Sequence, residues 1–101
     1  MYTLVRSSDF DSWLTGLADL KGKARILARL RSASLGNLGD CESVGEGVSE
    51  MRIHHGPGYR VYFVRDGRKV YLLLTGGDKS SQKRDIERAK KMAKALREGR
   101  R

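Results

Sequence analysis

The sequence predicts an α+β fold, two N-terminal helices packed on a small antiparallel sheet with a C-terminal helix, and three observations carry that prediction. Apolar residues recur at helical spacing over Phe10, Trp13, Leu14 and Leu17, and again over Ile26, Leu27, Leu30 and Ala33. From Val48 to Leu74 the pattern changes to strand-length runs separated by the turn signals Gly56-Pro57-Gly58 and Asp66-Gly67. After Gly76-Gly77 a charged run begins, with ten Lys or Arg and three acidic residues over Lys79–Arg101.

Each element follows from local chemistry. Tyr2–Val5 reads as a short strand. Ser8 and Asp9 are N-cap candidates for the first helix, with Asp11 three residues past Ser8 in a capping-box-like placement. Gly22 interrupts the pattern. A second helix begins near Lys23 and ends at Gly36, so the two form an αα-hairpin. Asn37–Gly47 reads as a polar connection without chemistry of its own.

Val48–Ile53 is the next strand, with Met51 and Ile53 inward and Arg52 and His54 on the opposite side. The loop His54–Gly58 leads into Tyr59–Val64 and sets Arg52 beside Arg60. Asp66-Gly67, taken as a two-residue type I′ loop, pairs Phe63 with Val70, Val61 with Leu72, Tyr62 with Tyr71 and Arg60 with Leu73. Val61, Phe63, Val70 and Leu72 then share the face that the N-terminal helices cover, completing a core with Trp13, Leu14, Leu27 and Leu30. Arg60, Tyr62, Tyr71 and Leu73 share the other. Asp78, Ser80 or Ser81 caps the closing helix, about residues 80–97, whose apolar stripe of Ile86, Ala89, Ala93 and Leu96 is thin.

At 101 residues, 1–101 is expected to form one domain around one modest core. Net charge is +9 and the sequence pI about 10.1, with ten minus three, or +7, in the last quarter. Lys21–Arg31 adds five basic residues and no acid. Such an excess favours polyanionic partners, nucleic acid or an acidic protein. Cys41 is the lone cysteine, which excludes an intramolecular disulfide and suits a reducing cytosol. Neither a secretory signal nor an apolar run of membrane-spanning length is present, so a cytoplasmic location and no membrane partner are expected.

The candidate site is Arg52, Arg60, Tyr62, Tyr71 and Lys79. Guanidinium groups grip phosphates bidentately, and tyrosines stack on unpaired bases while offering a hydroxyl, as single-stranded RNA requires. The plainer reading is solvated strand arginines with amphipathic tyrosines against the last helix. Imidazole is the side chain that most often serves as a general base, but His54 sits beside a turn, and His55 points the other way. No metal-ligand spacing, phosphate loop, dinucleotide fingerprint or nucleophile elbow occurs, so neither a metal nor a cofactor is expected.

The segments Glu50-Met51-Arg52, Gly56-Pro57-Gly58-Tyr59-Arg60-Val61-Tyr62-Phe63, Leu72-Leu73-Leu74 and Gly76-Gly77-Asp78-Lys79-Ser80-Ser81-Gln82 with Asp85-Ile86 resemble the RelE/ParE toxin superfamily, in particular its HigB-like (addiction module killer protein) branch. The resemblance covers nearly the whole chain and implies a RelE-like fold. It implies the toxin of a bacterial type II toxin–antitoxin module, partnered by a helix-turn-helix antitoxin. The implied activity is that of an mRNA interferase, a metal-independent, ribosome-dependent endoribonuclease that inhibits translation through 2′-hydroxyl attack on the phosphodiester.

Carried over to matching positions, Arg60 serves phosphate stabilisation, with Arg52 and Lys79 assisting. RNA binding falls to Arg52, Arg60, Lys79, Gln82, Lys83 and Arg84. Classical RelE enzymes use a late tyrosine, and other HigB proteins a C-terminal histidine-containing cluster. This chain has neither residue after Tyr71, which leaves Tyr62, Tyr71 and His54 as acid–base candidates. That departure keeps two alternatives: a ParE-like gyrase poison without nuclease activity, and a non-catalytic antitoxin-binding relative.

Overall fold

A computed structural model describes residues 1–99. In chain order they form β1 (Thr3–Arg6), α1 (Ser8–Thr15), α2 (Leu20–Ser34), β2 (Cys41–Gly45), β3 (Val48–Ile53), β4 (Tyr59–Asp66), β5 (Val70–Gly77), a 3₁₀ turn (Lys79–Ser81) and α3 (Gln82–Glu98). The five strands make one sheet in the order β1-β5-β4-β3-β2, with α1 and α2 on one face and α3 on the other. The class is α+β, as expected, but the sheet is mixed. β1 runs parallel to β5, pairing Thr3 with Val70 through Arg6 with Leu73, so the antiparallel expectation holds only for the other pairs.

Caps and glycines set the helix positions. Ser7, not Ser8 or Asp9, caps α1, its hydroxyl accepting from the Phe10 N–H at 3.0 Å. Asp19 caps α2 by accepting from the Gly22 N–H at 2.9 Å, so this helix starts three residues earlier than its apolar stripe suggests. Gly22 therefore belongs to the helix rather than interrupting it. A Cβ there would lie 2.5 Å from the Tyr59 ring, and glycine permits that contact.

Two further corrections concern the sheet. The polar segment expected to be a connection contains the edge strand β2, whose Glu42 and Ser43 are exposed and leave little apolar alternation to read. The β4–β5 turn spans Gly67, Arg68 and Lys69, because Asp66 pairs with Val70 and Phe63 with Leu73. This odd shift of register moves the β5 side chains from Val70 to Leu73 to the other face. Tyr71 and Leu73, rather than Val70 and Leu72, therefore join Val61 and Phe63 under the N-terminal helices.

That core contains Phe10, Leu14, Ile26, Leu30, Met51, Ile53, Tyr59, Val61, Phe63, Tyr71 and Leu73, with Trp13 partly buried against it. Leu27, placed in the core by its spacing, is exposed instead. The α3 face has a smaller cluster of Val48, Tyr62, Leu74, Ala89 and Ala93. The sheet between them is gripped at two consecutive glycines. A Cβ on Gly76 would lie 2.2 Å from the Trp13 ring on one side, and one on Gly77 would lie 1.8 Å from an Asp85 carboxylate oxygen on the other.

Candidate functional site

Strands β3 and β4 pair without irregularity from Val48–Val64 to Ile53–Tyr59, which puts Arg52 directly opposite Arg60 and Glu50 opposite Tyr62. Alternation turns these four side chains to the α3 face. Two arginines facing each other across a strand pair repel, so a counter-charge is needed. Glu50 supplies it from a fully buried position. Its Oε1 accepts from Arg52 Nε at 2.9 Å, and its Oε2 accepts from both the Tyr62 hydroxyl and Gln82 Nε2 at 2.9 Å. Arg60 Nε approaches Oε2 at 3.5 Å without a hydrogen bond of its own, while Arg60 Nη1 donates to the Gly58 carbonyl at 2.8 Å.

The electrostatics follow from that geometry. Burial is the largest single influence on Glu50 and opposes its charge. Hydrogen bonds from Gln82, Arg52 and Tyr62, with the Arg60 charge, together outweigh it and hold the carboxyl below the usual glutamate range. Burial, followed by the bond to Glu50, pushes the Tyr62 phenol well above its ordinary value. Arg52 is held more firmly in its charged form by the bond to Glu50.

The start of α3 completes the site. Asp78 caps the 3₁₀ turn, its carboxylate accepting from the Ser80 N–H at 2.9 Å, and the Ser81 hydroxyl accepts in return from the Asp78 N–H at 3.3 Å. This brings Lys79 over the β3–β4 turn, where its N–H donates to the Pro57 carbonyl at 3.3 Å. Gly58, at φ 78°, leaves the space in which Arg60 and Lys79 approach the turn. Arg52, Arg60, Tyr62, Lys79 and Gln82 are thus gathered at one end of the sheet.

Lys83 and Arg84 project from the next turn of α3, where with Ser80, Ser81 and Glu87 they line a shallow open groove. Tyr71 and His54 lie elsewhere. Tyr71 packs on the α1/α2 side, with ring centroids 5.1 Å from Tyr2 and 5.5 Å from Phe63. His54 is exposed, its Nε2 2.6 Å from an Asp40 carboxylate oxygen, beside Arg25 and Arg29. The expected shared face of Arg60, Tyr62 and Tyr71 is therefore corrected to Arg60 and Tyr62. The register shift removes Tyr71.

Glu50 is the residue that sequence reasoning missed. A signal was present: Glu50 and Arg52 are two apart in one strand, so alternation alone places them on the same face. The cluster is a balanced network rather than a bare cationic patch. Arg52 also meets the exposed Glu42 at 2.6 Å, and Asp78 lies near Arg60. Such a site can exchange an exposed counter-ion such as Glu42 for another anionic oxygen, while buried Glu50 keeps the guanidinium groups aimed. Among the described residues no group of three or more His, Cys, Asp or Glu is placed to hold a metal ion. None of their helices is long and apolar enough to cross a membrane.

These features define a small basic α+β protein with an arginine pair held on a buried carboxylate at one end of a mixed sheet. The family described as "Phage derived protein Gp49-like (DUF891)" matches residues 13–97, and the chain belongs to this phage-derived family, which is related to toxin–antitoxin systems. It is also similar to an uncharacterized protein of Haemophilus influenzae. The two are 48% identical over 87 residues, covering 86% of this chain and 88% of the relative.

Proposed function

We propose that the protein is the toxin of a type II toxin–antitoxin module in the HigB-like branch of the RelE/ParE superfamily, acting as a ribosome-dependent mRNA endonuclease. The observation that carries this reading is the Arg52–Arg60 pair, preset on Glu50 and flanked by Lys79 and Gln82. Membership of a toxin–antitoxin-related family supports it.

In the reaction, a ribose 2′-hydroxyl attacks the adjacent phosphorus and gives its proton to water, the bond to the 5′-oxygen breaks as that oxygen takes a proton from water, and a 2′,3′-cyclic phosphate forms. Arg52 releases Glu42 to take a phosphate oxygen, and Arg60 faces the charge that develops on the phosphorane. Lys79 adds a third cation beside the turn. Tyr62 acts by fixing Glu50, since its phenol is buried and already donates to that carboxylate. The Lys83 and Arg84 end of α3 holds the RNA backbone. A helix-turn-helix antitoxin is the neutralising partner.

One observation favours a second reading, ParE-like poisoning of gyrase: Tyr71 and His54 lie away from the arginine pair, and binding alone needs no acid or base. Mapping mRNA 5′ ends after induction separates the two. Codon-phased cuts that fall about 100-fold in Arg60→Ala support the nuclease, the scale expected when one preorganised donor is lost from a charged transition state. Gyrase-linked DNA breaks with intact mRNA would replace it with the second reading.

A further inference from the structure

The edge strand β2 and the residue before it carry acids in a repeating arrangement. Glu42 stands opposite Glu50 in the register but reaches past it to Arg52 Nη2 at 2.6 Å. Asp40 lies alongside Arg52, whose N–H donates to its carbonyl at 2.9 Å, yet its carboxylate reaches on to His54 Nε2 at 2.6 Å. Each acid therefore meets the side chain two residues further along β3. The two carboxylates are 61% and 45% exposed, so solvent screens these pairs and holds them weak. The bond from His54 nonetheless keeps the Asp40 carboxyl below the usual aspartate range, so it remains ionised. Two residues of strand span about 6.7 Å, close to the step between successive phosphates of an extended nucleic-acid strand.

The path continues from His54 onto α2. His54 borders a groove of about 270 Å³ lined also by Ile53, Ala28, Arg25 and Arg29. Arg29 is occupied, since its guanidinium donates to the Arg52 and Leu38 carbonyls and ties α2 to the end of β3. Arg25, one turn earlier, is exposed, and Lys21–Arg31 holds no acid to offset it.

We infer that Asp40 and Glu42 stand in for two successive phosphates of single-stranded RNA, and that His54 with Arg25 forms a second phosphate subsite beside Arg52. The inference rests on the proposal above that Arg52 takes an RNA phosphate. The entering strand displaces Glu42 from Arg52 and Asp40 from His54, and the His54 ring N–H and the Arg25 guanidinium receive the next phosphate. The adjoining base enters the groove against the His54 ring and the Ile53 and Ala28 side chains, a contact that an acidic peptide of the same charge spacing lacks. The acids thus act as a built-in competitor. A ligand that presents both phosphates replaces both carboxylates, whereas a lone anion leaves one of the two pairs standing.

The test uses the full chain and a 2′-O-methyl RNA of about six nucleotides, which lacks the free 2′-hydroxyl that cleavage requires. Affinity is read by fluorescence anisotropy across a range of salt. Asp40→Asn and Glu42→Gln, both at exposed positions, are each expected to raise affinity about fivefold, the scale of one exposed ion pair. Each should also steepen the salt dependence, because a carboxylate freed in the wild type gathers a cation as the RNA sheds one. His54→Ala should cost more affinity in Asp40→Asn protein than in the wild type, since there the imidazole is already released to meet phosphate. Arg25→Ala should weaken binding and lower the salt slope by roughly 1. Unchanged affinity in Asp40→Asn, additive effects of Asp40→Asn and His54→Ala, or no binding even when both acids are neutralised overturns the inference. So does equal competition by a glutamate–serine peptide, which would mark the strip as a protein-docking surface. The oligomer cannot be cut, so the nuclease reading stands or falls separately. A protein that binds as expected yet leaves mRNA intact loses only the nuclease, and codon-phased cuts with indifferent Asp40→Asn lose only the second subsite.

Discussion

The two faces of the sheet are packed by different means. Under α1 and α2, aromatic and branched side chains fill the space, and the ring contacts run from Phe10 through Trp13 to Tyr59 and from Tyr2 through Tyr71 to Phe63. Under α3 the helix contributes only two fully buried apolar residues, both alanines, and its aliphatic neighbours Ile86 and Met92 are half-buried. The buried carboxylate of Glu50 and its four partners share that face with Val48 and Leu74. A thin apolar stripe leaves room for polar groups, and the network then depends on mutual satisfaction rather than on area removed from water. The first face supplies stability. The second supplies a charged arrangement that can be exchanged or broken piece by piece.

Substitutions can break this contrast, and the largest effect belongs on the aromatic face. Phe63→Ala should cost about 3–5 kcal/mol in denaturant unfolding, since it empties a site enclosed by the helices and Tyr71. An unchanged midpoint would show that the faces have been assigned the wrong way round. Next comes Glu50→Ala, expected to cost about 3 kcal/mol because Arg60, mostly buried, loses the buried carboxylate that faces its charge. If the loss is below about 0.5 kcal/mol, the network is surface decoration rather than the packing of that face.

Acid sharpens the same point. Because folding lowers the Glu50 pKa, its contribution is complete above the ordinary glutamate range and disappears as pH falls through the folded-state value. Wild-type stability should therefore approach that of Glu50→Gln in acid titration, and parallel curves for the two would contradict the network account. A smaller effect is expected at Gly77, where Gly77→Ala must displace the Asp85 carboxylate at about 1–3 kcal/mol, read from the shift in melting temperature. At the foot of the scale, Asp78→Ala removes the cap before α3 and should cost about 1 kcal/mol. Thermal denaturation would register it, and a loss as large as that of Phe63→Ala would mean that Asp78 also organises the arginine pair.

What was legible in the sequence was what local spacing controls. The helical stripes of α1 and α2 apart from the exposed Leu27, the extent of β3 and the inward Met51 and Ile53 follow from periods of about three and a half and of two, as does the Arg52–Arg60 register once the His54–Gly58 loop is counted. The β4–β5 register was hidden. Asp66-Gly67 is a strong two-residue turn signal, yet Gly67 begins a three-residue loop, and an irregularity between Tyr62 and Phe63 resets the pairing further along. Glu50 was obscure for another reason. A buried carboxylate is tolerable only with donors around it, and Gln82, one of its donors, lies 32 residues away in sequence. The parallel place of β1 beside β5 is equally non-local.

The double glycine ending β5 has a mechanical consequence. Trp13, from the chain's first helix, and Asp85, from its last, press on neighbouring backbone units of one strand from opposite sides. Neither layer can lift away without loosening the footing of the other. Opening should therefore be all-or-none across both layers, with the β5 amides exchanging only through global unfolding. Helices α1 and α3 then act as a clasp, and freeing either should release both layers rather than a single flap.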